Sequence, residues 1–131
     1  MADELLRVEL VSADSEVWSG DAEFVLARTT DGEIGVLPQH APVLSVLVES
    51  VVVIRGEGGD TQVAAIDGGF ISVAENRVSI LAEQALLSDD IDAGDARQDL
   101  ERAQGDSDDD EDAARQVRWA EARIEATEKA S

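Results

Sequence analysis

His40 is the only histidine of this chain, which has no cysteine and no tyrosine. It is therefore the one side chain whose ordinary titration range lies near neutrality. A lone acid/base needs a partner to orient it, and no residue close to His40 in sequence supplies one. Lys129 is the sole lysine. The patterns G-x-S-x-G, H-E-x-x-H and G-x-x-x-x-G-K-[ST] are all missing. Gly68-Gly69 precedes a strand-like run, so it cannot hold an anion at a helix N-terminus. It reads instead as a bend or a close approach of backbones. One histidine and no thiolate leave no zinc-type ligand set. The acidic run Asp106–Asp112 lacks the glycine and terminal glutamate of a calcium loop. The expectation is no catalytic residue, no metal and no cofactor.

The elements that carry these residues start with Thr30–Pro42. Asp31-Gly32 is a tight-turn pair, because glycine accepts positive φ at little steric cost. Pro38 and Pro42 are the only prolines, and each drives the residue before it toward an extended conformation. The segment is a rigid loop around a short apolar strand, not a helix. From Arg7 to about Leu87 the pattern stays strand-like. Arg7-Val8-Glu9-Leu10 alternates polar and apolar, as a strand with one wet face does. Glu16–Gly20, Glu23–Arg28, Val43–Val48, Val51–Ile54, Thr61–Ile66, Phe70–Val73 and Val78–Leu81 follow as separate short strands. Turn signals lie between them, and the sum reads as a sandwich or barrel over 1–87.

Residues 88–131 change period. Ser88-Asp89-Asp90-Ile91-Asp92 offers N-cap residues and acids that suit a helix start. Ala93, Ala96, Leu100 and Ala103 form the apolar stripe of a helix over about 90–104, and Gly105 ends it. An acidic loop over 105–111 leads to a second helix over about 112–128, with the stripe Ala113, Val117, Ala120 and Ile124. Arg118–Glu121 and Glu125–Lys129 are spaced to pair along it. Trp119 lies off that stripe, either covering the edge of the hairpin or meeting a partner. Alanine-rich helices this short are marginal alone and need support from the sandwich or from another protein. The fold class is mainly β with an α appendage, an N-terminal sandwich followed by an antiparallel helical hairpin.

The chain of 131 residues carries a formal charge of -20 and only 3% aromatics. Such a surface repels phosphate backbones and anionic lipid, which argues against nucleic acid and against direct lipid insertion. The acid serves either as a solubility surface or as a docking surface for a basic partner. The lack of cysteine fits a reducing compartment. No basic-then-apolar leader and no apolar run of spanning length is present.

The segment Asp31-Gly32-Glu33-Ile34-Gly35-Val36-Leu37-Pro38-Gln39-His40-Ala41-Pro42 resembles the signature loop of the ε subunit of F-type ATP synthases. Gly68–Val73 continued by Asn76–Glu83, and Val8–Ser12 through Trp18-Ser19-Gly20, resemble the same family in the same order across residues 5–87. The resemblance implies a β-sandwich with a C-terminal helix pair, placed in the central rotor stalk at the cytoplasmic side of the cell membrane as a peripheral protein. It implies binding to the γ subunit and to the c-ring, no catalysis by the chain itself, and coupling of proton-driven rotation to ATP synthesis. It places Asp31 and Glu33 toward the ring and His40 near γ.

In this family the helix pair can rise toward the α/β catalytic head and restrain ATP hydrolysis, which would use Arg115, Arg118, Trp119 and Arg123. Some members bind ATP through a pattern that Ile91, Asp92 and Arg102 match, with Asp95 where an arginine would stand. Weak or absent ATP binding is therefore expected. The alternative from another class is a stand-alone acidic β-sandwich module that recruits a basic protein. An enzyme built on His40 and carboxylates is the third reading.

Overall fold

The computed structural model describes residues 4–105 and 111–130. Of the acidic loop expected over 105–111, residues 106–110 lie outside the described residues, while Gly105 and Glu111 belong to the helices. The strands are β1 (Leu6–Val11), β2 (Glu16–Ala22), β3 (Phe24–Thr29), β4 (Gly32–Val36), β5 (Val43–Arg55), β6 (Thr61–Ala74), β7 (Arg77–Leu81) and β8 (Ala85–Leu87). The helices are α1 (Ala93–Gly105) and α2 (Glu111–Ala130).

The strands run in the order β2-β1-β7-β6-β5-β3-β4, with β8 also on β6. All neighbours are antiparallel except β1 and β7. The sheet closes into a sandwich because β5 and β6 are long enough to serve both layers. The first half of β5 and the second half of β6 pair beside β7 and β1. The other halves pair beside β8 and β3.

Four segments expected as separate strands are thus two. Val43–Val48 and Val51–Ile54 are both β5; Thr61–Ile66 and Phe70–Val73 are both β6. The glycine pair bends the chain without ending its ladder. Gly68 has φ 108 and Gly69 φ 128. A Cβ on Gly69 would overlap the Leu81 carbonyl, so the backbones meet where only glycine fits.

The core is aliphatic, as a chain poor in aromatics must make it. Leu6, Val8 and Leu10 of β1 are fully buried, and Arg7 and Glu9 between them are exposed. They meet Val25, Val36, Val52, Ile54, Ile66, Ile71, Val78 and Ile80. A second cluster lies on the outside of one layer. Val51, Val63 and Ala65 pack there against Ala122 and Ala126 of α2, with Val53, Ile91 and Trp119 at its margin. Val51–Ile54 and Val63–Ile66 are therefore apolar without a break because both of their faces are covered.

Two apolar stripes, not one, run along α2. Ala113 and Ala120 are buried on one side, with Val117 and Ile124 half-buried near them. Ala122 and Ala126 sit about 200–240° around the helix from Ala120 and face the sheet. α2 lies between α1 and the sandwich, and α1 touches mainly α2. The Asp92 carboxylate starts α1 by accepting the Asp95 N–H at 3.0 Å.

Candidate functional site

Asp31 stands at the tip of the β3–β4 hairpin. The Asp31 N–H donates to Thr29 Oγ1 at 3.0 Å, and that hydroxyl donates to the Gly32 carbonyl at 2.8 Å. Gly32 takes φ 126, so the turn is fixed by its own residues. Glu33 is on β4 and not in the loop. It stands opposite Arg28 in register and lies 3.7 Å from its guanidinium, with both side chains mostly exposed. A pair so wet contributes little, and the tip presents acid to solvent.

His40 lies beyond the other end of β4, so it does not join Asp31 and Glu33 in one site. Its N–H donates to the Leu37 carbonyl at 3.1 Å. Its Nδ1 lies 2.6 Å from the Ala41 carbonyl, which can only accept, so the proton sits on Nδ1. The ring's described partner is a carbonyl and not the carboxylate that acid/base chemistry would ask for. The half-buried ring instead braces a loop that leaves Leu37 58% exposed.

The four residues named on the second helix have partners inside the chain. Arg118 pairs with Glu49 of β5 at 2.7 Å, not with Glu121, because that side of α2 lies on the sheet. Arg123 is largely buried. It bonds Asp99 of α1 at 3.0 Å and stacks 5.2 Å from the Trp119 ring centre. Arg115 is 3.7 Å from Asp112, and Lys129 reaches Glu125 at 3.9 Å. Trp119 packs on the outer face of the sandwich and not at the edge of the hairpin, one of the two places left open for it. The periodic stripe hid this position because a helix held between two surfaces has two such stripes.

Glu49, Asp67, Asp99, Arg102, Arg115 and Trp119 are among the residues that line an open cleft of about 420 Å³. Arg102 lies 3.1 Å from Asp99. Asp99 thus holds Arg102 and Arg123 together. Of the two neighbouring motif residues, Asp92 caps α1 and Ile91 packs at the margin of the second cluster. An anion entering the cleft would compete with the Asp99 carboxylate for Arg102 and Arg123.

One feature escaped the sequence reading. Leu44, Val46, Phe70 and Leu81 are exposed at 72%, 47%, 52% and 51%. They lie on the outer face of the layer that the helices leave bare. Phe70 is in register with Val46 on one side and with Leu81 on the other, so the row crosses three strands. Its signal was available in Val46-Leu47, Phe70-Ile71 and Ile80-Leu81. Adjacent apolar residues in a strand point to opposite faces, so both faces are apolar.

Comparison with known proteins agrees with this architecture. Residues 5–88 match the family described as ATP synthase, Delta/Epsilon chain, beta-sandwich domain. The ATP synthase epsilon chain of Streptomyces avermitilis is 56% identical over 103 residues, covering 79% of this chain and 83% of that one. That of Streptomyces coelicolor is 52% identical over 92% of this chain and 94% of its own. That of Mycolicibacterium smegmatis is 46% identical over 96% of each. A chain in the cryo-EM structure of the Euglena gracilis mitochondrial ATP synthase (OSCP/F1/c-ring) superposes with a TM-score of 0.78 at 26% identity, covering 96% of this chain and 81% of that chain. A chain of the Tetrahymena thermophila mitochondrial ATP synthase central stalk/c-ring shares the fold, with a TM-score of 0.64 at 17% identity over 99% of this chain and 98% of that one. The likeness runs through the sandwich and on into the helices, and this chain belongs to the ATP synthase epsilon chains, subunits of the synthase that are not catalytic.

Proposed function

We propose that this chain is the rotor component of the central stalk that fixes the γ subunit to the c-ring of a proton-translocating F-type ATP synthase. It works at the cytoplasmic side of the cell membrane as a peripheral subunit. Among the described residues no helix is long and apolar enough to cross a membrane. The observation that carries the reading is the bare row Leu44, Val46, Phe70 and Leu81. An apolar row on an otherwise acidic protein marks a protein contact, and γ is the partner this surface fits. His40 and its loop flank γ, while Asp31 and Glu33 at the hairpin tip address polar loops of the ring.

The helical hairpin is the regulatory element in this reading. Arg115, Arg118 and Arg123 of α2 are each paired with an acid of this chain, and Arg118 must give up Glu49 of the sandwich when the hairpin rises toward the α/β catalytic head. Restraint of ATP hydrolysis is modest. ATP binding is weak or absent, because a triphosphate would meet Asp99 between Arg102 and Arg123.

Co-purification with γ of the same synthase tests the docking. The wild-type chain forms an equimolar complex. Phe70→Glu, which puts a charge where about 1.5–3 kcal/mol of aromatic burial is expected, weakens it by about tenfold or more. Failure to form any γ complex would overturn the reading in favour of a stand-alone binding module.

A further inference from the structure

The β6–β7 turn carries an asparagine whose side chain reaches beyond the turn. Ala74 and Arg77 close a two-residue turn over Glu75 and Asn76, with φ 52 and φ 64. Turns with two positive φ values accept glycine at the second position without strain. Asparagine suits this φ as well, but glycine would lack the side-chain acceptor that reaches beyond the turn. The Asn76 Oδ1 accepts the Gln39 N–H at 2.6 Å, across 37 residues of sequence. Its main-chain carbonyl accepts the Arg7 N–H at 2.7 Å. One residue thus joins β1, the β6–β7 turn and the proline loop.

Gln39 itself has φ 70. A left-handed backbone on a residue with a Cβ persists only where its surroundings hold it. Two side-chain bonds tie the Leu37–Pro42 loop to other segments among the described residues, and both involve Gln39. One is the bond to Asn76; the other runs from Gln39 Nε2 to Glu4 Oε1 at 2.6 Å. The Glu4 bond joins two exposed side chains, whereas the Asn76 bond grips the backbone. Pro38 and Pro42 stiffen the loop but do not place it. The residues displayed on either side of this anchor are Leu37, largely exposed, and His40.

We infer that Asn76 is a positioning residue for partner docking: its side-chain carbonyl holds Gln39 left-handed and thereby sets where Leu37 and His40 meet the γ subunit. The inference rests on the docking role proposed above and adds the residue that shapes its surface. Asn76 touches no partner; it acts through the loop. Pre-setting the loop spares the complex the entropy of ordering it.

The test uses the full chain with Asn76→Gly and Asn76→Asp. Glycine keeps the turn, since φ 64 suits it, but removes the acceptor. Aspartate keeps an acceptor oxygen at the same place. Loss of one hydrogen bond and of its ordering effect lowers γ affinity about fivefold to tenfold for Asn76→Gly. Asn76→Asp retains wild-type affinity. Amide exchange at Gln39 rises in the glycine variant alone, while exchange in the β6–β7 ladder stays unchanged in both. Wild-type γ affinity in Asn76→Gly together with a freely exchanging Gln39 amide would overturn the inference, as would equal losses in both variants. Phe70→Glu separates the two levels. If it weakens γ binding and Asn76→Gly does not, only the role of Asn76 fails. If neither variant matters, the docking surface is wrong and this inference falls with it.

Discussion

Arg118 donates from Nε to Oε1 of Glu49 across 2.7 Å, joining positions 69 apart in sequence. The Glu49 side chain is only 13% exposed, and that of Arg118 is 44% exposed. This pair ties the helical hairpin to the sandwich beside a contact made largely of alanine and valine. Alanines bury little area, so one charge-assisted bond is a sizeable part of what keeps the hairpin down.

Glu49→Gln keeps the volume and removes the charge. With the exposure of Arg118 taken into account, the loss is on the order of 1 kcal/mol. Amide exchange across α2 should quicken by about fivefold, with the β1–β7 ladder unaffected. Unchanged exchange in α2 would show that the apolar contact holds the hairpin unaided.

Ala126 is fully buried between α2 and the sheet. Ala126→Asp places an unpaired carboxylate there, at a cost of about 2–4 kcal/mol, enough to lift the helix. In a Trp18→Phe background the emission of Trp119 should shift to the red while the strands keep their far-ultraviolet signal. A spectrum identical to the parent would mean that Trp119 is not seated on the sandwich.

Asp99 stands where an external anion would bind, with Arg102 at 3.1 Å and Arg123 at 3.0 Å. Calorimetric titration of the wild-type chain with ATP should give a dissociation constant in the millimolar range or no heat. Asp99→Asn should tighten anion binding by about threefold to tenfold, because removing a like charge near a partly exposed site is worth roughly 1 kcal/mol. Micromolar affinity of the unaltered chain would contradict this account of the cleft.

Gly69→Ala forces a methyl group onto the Leu81 carbonyl at a φ that side chains avoid. Destabilisation of about 3 kcal/mol or more is expected, read as a lower midpoint in denaturant unfolding. A midpoint within error of the parent would mean that the bend in β6 tolerates a side chain.

Removing residues 88–131 in the assembled synthase should raise membrane ATPase activity by less than about tenfold, that is by under ~1.4 kcal/mol of restraint. The limit follows from α2, whose Arg115, Arg118 and Arg123 already have carboxylate partners within the chain. A larger rise would establish strong inhibition by the hairpin.

Much of the body could be read from residue order alone. Leu6, Val8 and Leu10 alternate with charged neighbours, and a half-buried strand is the only periodic structure that satisfies them. The caps before Ala93 and the alanine spacing after it likewise define a helix locally. Asp31-Gly32 carries its own turn. Each of these depends on near neighbours, which a linear pattern records.

The tertiary structure decided what depends on distant neighbours. Gly68-Gly69 bends β6 and does not end it, because the ladder partners on β5 continue past the bend. Arg118 chooses Glu49 over Glu121 because α2 settles on β5, and Trp119 is half-buried for the same reason. Asn76 reads as a turn residue until Gln39 is seen to hang from it. The apolar row across Val46, Phe70 and Leu81 exists only once three strands lie side by side. Local spacing specifies which way a side chain faces, but what stands opposite is set by how the sheet folds over and where the helices come to rest.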